Sequence, residues 1–71
     1  MFKKLKTGDL VSTRKDADGF RLYDGDGHPT EYCMDNSRLY FVVDDRMMST
    51  RIVSDSFGNN FKIFLEHLES R

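Results

Sequence analysis

Short apolar stretches separated by turn-forming residues run the length of this chain, and before residue 60 none carries a sustained helical spacing. The clearest is RLYFVVDD, residues 38–45. Leu39, Phe41 and Val43 alternate with Tyr40 and Val42, so one face of this segment is wholly apolar and the other partly so. Such a strand belongs at the centre of a sheet, and the pattern predicts that Leu39, Phe41 and Val43 face the core. Similar segments, rich in β-branched and aromatic residues, predict strands over 8–15, 20–24, 30–34, 38–44 and 49–55. In TRIVSD, Ile52 and Val53 are adjacent, so alternation does not assign an inward face.

The final segment, NNFKIFLEHLESR, fits two periods. Phe61, Phe64, Leu65 and Leu68 follow helical spacing behind Asn60 as N-cap, whereas Phe61, Ile63 and Leu65 alternate as a strand does. Lys62 in the first turn of such a helix, and Glu69 near its end, would oppose the macrodipole. The expected structure is therefore a strand over 61–65 followed by a short helical turn over 66–69.

Between the strands lie Asp-Gly and Asn signals. DADGFRLYDGDG, residues 16–27, holds four aspartates and three glycines and invites comparison with a calcium loop. An EF-hand needs oxygen ligands at positions 1, 3 and 5, glycine at 6 and glutamate at 12. With Gly27 at position 6, Leu22 and Cys33 fall at the two ends; with Gly19 there, Arg14 and Gly25 do. Both registers lack their end ligands. Asp-Gly is also a preferred turn pair, so the segment reads as two turns flanking a strand at residues 20–23.

Length and composition narrow the picture further. Seventy-one residues make a single domain, 1–71, whose small core needs reinforcement. Cys33 is the only cysteine, so no internal disulfide can form, and a lone thiol fits a reducing, cytoplasmic setting. The opening MFKKLKTGD has no apolar run behind its lysines, so neither export nor membrane insertion is expected. Six Phe and three Tyr favour a well-packed aromatic core as the stabilising device.

The net charge is −1, but its distribution is uneven. Lys3, Lys4, Lys6, Arg14 and Lys15 face only Asp9 in the first fifteen residues, whereas residues 16–45 hold eight acids against Arg21 and Arg38. A pI near 6.0 and the lack of a long basic stripe argue against a dedicated nucleic-acid binder. His28, Cys33 and His67 lack the paired spacing of zinc sites, so no metal or other cofactor is expected. The histidines read as solvated, and Cys33 as a small buried or half-buried residue. No glycine-flanked nucleophile, phosphate loop or paired-acid motif is present, and a domain this small leaves little room for a substrate pocket. A non-enzymatic role follows. Met47 and Met48 fall at the connection between the two best strands, either as an adaptable contact or as packing. Tyr23, Tyr32 and Tyr40 could share a sheet face.

Taken together, LKTGDLVS, RLYFVVDD, STRIVSD and the terminal FKIFLEHLES resemble a small SH3-like β-barrel of five or six strands with a short C-terminal helical turn. The resemblance is to KOW-type and related barrels that open on a Gly-Asp-x-Val strand, here Gly8, Asp9 and Val11. They close on a turn matched by Glu66, Leu68 and Glu69. Short proteins of this plan are frequent among accessory gene products of tailed bacteriophages. The basic loop of nucleic-acid-binding KOW modules has no counterpart in the acidic 16–35 segment, and the peptide-groove residues of SH3 domains cannot be placed. The resemblance implies the fold and says little about the ligand. The expected function is a non-enzymatic protein-binding module, a phage accessory protein that engages or inhibits a host protein in the host cytoplasm. On this reading Asp16, Asp18, Asp24 and Asp26 steer towards the partner, and Met47 and Met48 contact it. The alternatives are a weak nucleic-acid binder using Lys3, Lys4, Lys6, Arg14 and Lys15, or a virion or complex subunit stabilised by homo-oligomerisation.

Overall fold

A computed structural model describes residues 5–71. Seven strands form one antiparallel sheet: β1 (Leu10–Thr13), β2 (Arg21–Asp24), β3 (Pro29–Cys33), β4 (Tyr40–Asp44), β5 (Thr50–Ser54), β6 (Asn60–Phe64) and β7 (Leu68–Ser70). Their order is β3-β2-β6-β5-β4-β1-β7, with β3 and β7 at the edges and no ladder between them. Two 3-10 turns, Lys15–Ala17 and Leu65–His67, are the helical elements among the described residues. No helix there is long and apolar enough to cross a membrane.

The expected strands all form, within a residue or two at most ends. Two elements differ. Lys15 leaves the first strand for a 3-10 turn that buries Ala17. The expected helical turn over 66–69 becomes a 3-10 turn followed by β7, which makes seven strands rather than five or six. Leu68, Glu69 and Ser70 pair with Thr13, Ser12 and Val11 of β1, a partner more than fifty residues away that no local pattern reveals. Asn36 secures this edge. Its Nδ2 donates to Thr13 O at 2.8 Å and to Glu69 Oε2 at 3.0 Å. Arg71 adds Nε to Ser12 Oγ at 2.9 Å and Nη2 to Asn36 O at 2.7 Å.

The two turns of DADGFRLYDGDG form as expected around β2. Gly19 and Gly27 have φ of +92° and +87°, the left-handed conformation that the Asp-Gly pairs supply without side-chain strain. Asp24 organises the second turn by accepting the backbone N–H of Asp26 and of His28 on Oδ1, both at 2.9 Å. Asp55 does the same for the β5–β6 turn, accepting from the backbone of Phe57 and Asn59.

The core reverses the expected phase of β4. Tyr40 and Val42 are each 1% exposed, while Leu39, Phe41 and Val43 are 50%, 52% and 45% exposed. Both faces of this strand are apolar, so alternation alone cannot choose between them. Registry with inward-facing neighbours decides it: Tyr40 pairs with Val11, and Val42 with Val53. Leu22, Phe61, Ile63 and Leu68 complete the interior, joined by Leu5, Ala17 and Met34 from connecting segments. The aromatic core anticipated from composition does not form. Of the eight aromatic residues among the described ones, Tyr40 and Phe61 are buried, whereas Phe20, Tyr23, Tyr32, Phe41, Phe57 and Phe64 are exposed.

Candidate functional site

Because β4, β5, β6 and β2 lie side by side, their outward residues share one surface. Phe41 stands opposite Leu10 and Ser54. Ile52 stands opposite Lys62, and Lys62 opposite Tyr23. Phe64 stands opposite Thr50. The register sets Phe41 in a row with Ser54 and Asn60, and half-buried Ile52 between Asp44 and Lys62, so the outward Phe41, Ile52, Tyr23 and Phe64 alternate with polar side chains across this face.

At the Tyr23–Phe64 end the surface opens into a cleft of about 520 Å³. Buried Met34 and Ile63 form its floor, and Phe20, Tyr23, Phe64 and His67 its walls; Arg21 and Lys62 supply its charges. Backbone hydrogen bonds set these walls. Met34 N donates to Phe20 O and Gly19 N to Met34 O, which ties the start of β2 to the end of β3. Leu65 N donates to Ser49 O, and Arg14 N to His67 O, which fixes the second 3-10 turn. The His67 ring meets Phe20 and Phe64 edge-on, with centroids at 5.4 Å and 6.1 Å, and its Nδ1 is buried without a hydrogen-bond partner. His67 is therefore part of an aromatic wall, not the solvated residue expected. The cleft also corrects the expectation that the domain lacks room for a pocket.

Lys3 and Lys4 lie outside the described residues, and the other sequence-derived candidates are dispersed. Lys6 is exposed near the β4–β5 connection, whereas exposed Arg14 lies beyond β1 and its Nε bonds Asp16 Oδ1 at 3.4 Å. Lys15 is exposed in the first 3-10 turn. Asp18 accepts Asn36 N at 2.9 Å. Asp24 lies level with Phe61, near the Ser54 end of β5, while Met47 and Met48 precede Thr50 at its other end. The structure does not bring the acidic hairpin and the methionines together. Met48 is fully exposed, whereas half-buried Met47 accepts a hydrogen bond from Thr50 Oγ1 on Sδ.

Tyr23, Tyr32 and Tyr40 do not share a face. Tyr23 points outward, Tyr32 stacks edge-on against Phe61 at 5.5 Å, and Tyr40 is core. Cys33 is exposed, contrary to expectation, because it sits on edge strand β3. Asp24, Asp26 and His28 offer ligand atoms within 4.8 Å of one another, a grouping missed by a search for His/Cys spacing. The hydrogen bonds from His28 and Asp26 that shape the turn also hold the Asp24 carboxyl below its ordinary pKa.

Arg51 was not anticipated. It is buried without a carboxylate partner among the described residues, and its guanidinium instead donates to the carbonyls of Leu5, Met47 and Thr50 at 2.7, 2.6 and 2.7 Å. A buried charge is tolerated only when its donors are satisfied, and here they staple the β4–β5 connection to the incoming chain. TRIVSD carries no local signal for this role.

Compared with protein-family models, curated proteins and solved structures, the chain has no match in any of the three.

Proposed function

We propose that this chain is a non-enzymatic protein-binding module that engages its partner through the outer sheet face and the cleft continuous with it. The observation that carries this reading is the exposure of Phe41 on the sheet face and of Phe20, Tyr23 and Phe64 at the cleft, in a domain short of core. Exposed aromatic side chains beside an open cleft are characteristic of interaction sites, and aromatic anchors dominate the energetics of many interfaces. Asp16, Asp18 and Asp24 accept hydrogen bonds within the fold, which fixes the positions of the charges that would steer a partner.

We read the fold as an SH3-like barrel. The β4-β5-β6 meander, the pairing of β1 with both β4 and β7, and the 3-10 turn between β6 and β7 support this. The β2–β3 hairpin then occupies the long loop after the first strand. A phage accessory protein that binds or inhibits a host protein remains the biological setting proposed from the resemblance. The fold itself is compatible with many ligands. A second reading, binding of single-stranded nucleic acid, is favoured by one observation: Arg21 and Lys62 stand among the aromatic walls, as a stacking platform requires.

The test is affinity capture from host lysate with and without nuclease, using the parent chain and Phe41→Glu. Capture of one protein that survives nuclease and is lost with Phe41→Glu is expected. Capture that depends on nucleic acid, or is unchanged by the substitution, refutes the reading.

A further inference from the structure

We propose that the cleft between β2, β6 and the second 3-10 turn receives an acidic peptide segment anchored by an apolar side chain. This rests on the protein-binding reading and adds the chemistry of the partner. No carboxylate lines the cleft, although acids outnumber bases in the chain, 12 to 11. Its two permanent charges are Arg21 and Lys62, and neither has a carboxylate within 4.0 Å among the described residues. Arg21 Nη1 donates to Thr30 O at 3.1 Å, and its remaining donors have no protein partner there. Tyr23 stands between the two cations, opposite Lys62 in the ladder and two residues along from Arg21. A carboxylate on either side of a bound chain would therefore meet a cation.

The apolar part of the ligand is specified as directly. Met34 and Ile63 at the floor, with Phe20 and Phe64 above them, make a recess suited to one aromatic or branched aliphatic side chain. An extended segment satisfies both demands, because it presents an anchor with acidic neighbours on either side. Nucleic acid fits less well. A phosphate backbone needs a track of cations, and the cleft offers two, Arg21 and Lys62.

The experiment is selection of a random displayed peptide library on the full chain, followed by fluorescence anisotropy with labelled copies of the enriched peptides. Expected enrichment is an aromatic or aliphatic residue flanked by Asp or Glu. Affinity should fall about tenfold or more with the double substitution Arg21→Gln and Lys62→Gln, and should weaken with added salt. Both cations are at the surface, so the double variant should melt as the parent does. Phe64→Ala should weaken the same peptides without altering their preference for acids. Enrichment of basic or neutral flanks, retained affinity in the double variant, or no enrichment at all overturns the acidic-peptide assignment while leaving protein binding through the outer face intact. Tighter binding of oligodeoxythymidine, lost with the same variants, overturns both.

Discussion

The orientation of β4 can be tested by paired substitutions at adjacent positions. Tyr40 is 1% exposed and packs edge-on against Phe61 at a centroid distance of 6.0 Å, whereas Phe41 is 52% exposed. Truncating a buried aromatic to alanine costs about 3–5 kcal/mol, through lost transfer energy and the cavity left behind. A domain of this length has a total stability of about 4–10 kcal/mol, so Tyr40→Ala should be largely or wholly unfolded. Phe41 keeps about half of its surface in water. Its truncation should cost only about 1 kcal/mol of burial, with up to about 1 kcal/mol more for strand preference. That corresponds to a fall in melting temperature of about 4–8 °C per kcal/mol. The Tyr40 hydroxyl sharpens the test. It is buried without a hydrogen-bond partner, and burial holds its phenol above the ordinary pKa. Tyr40→Phe removes an unsatisfied polar atom while keeping the ring, and should stabilise by about 1 kcal/mol. Urea unfolding followed by far-ultraviolet circular dichroism measures all three. If Phe41→Ala unfolds the domain and Tyr40→Ala does not, β4 faces the other way and the proposed binding surface is core.

Acid should destabilise the domain in a defined window. Asp44 is drawn down to about 2 by hydrogen bonds from the Arg46 side chain and backbone, and Asp35 is lowered by the Ser37 hydroxyl. At Asp55, burial pushes the carboxyl up, but hydrogen bonds from Asn59 and Phe57 outweigh it. Groups lowered in the folded state contribute stability that is complete above the unfolded value of 3.8 and lost as pH falls through the folded value. The urea midpoint should therefore decline between pH 3.8 and about 2, and an increase across that window would contradict the assignment. Calcium or zinc should leave the melting temperature unchanged, because both calcium registers lack their end ligands and Asp26 and His28 are exposed; a chelator-reversible rise would show that Asp24, Asp26 and His28 hold an ion.

The strands and turns of this protein were legible in the sequence because their causes are local. Two of the three Asp-Gly pairs supply left-handed glycines, Gly19 and Gly27, and runs of β-branched and aromatic residues are enriched in extended backbone. Hence β2 and its two flanking turns, and the β4–β5 and β5–β6 hairpins, could be placed from residue order alone. Features that depend on partners could not. Leu68–Ser70 forms a strand only because β1 offers an edge to it, and in isolation those residues fit a turn equally well. The apolar alternation of β4 identified a strand but pointed to the wrong inward side, since the more apolar face, Leu39, Phe41 and Val43, lies outward; pairing with Val11 and Val53 set Tyr40 and Val42 inward. The same reversal turned Leu39, Phe41 and Val43 from expected core into exposed surface. The cleft is still more remote from sequence order. Phe20, Met34, Lys62 and His67 come from four separate segments and meet only when β6 pairs with β2 and the chain turns back at Leu65. Residue types fixed what each side chain could contribute, and long-range pairing alone determined which of them stand together.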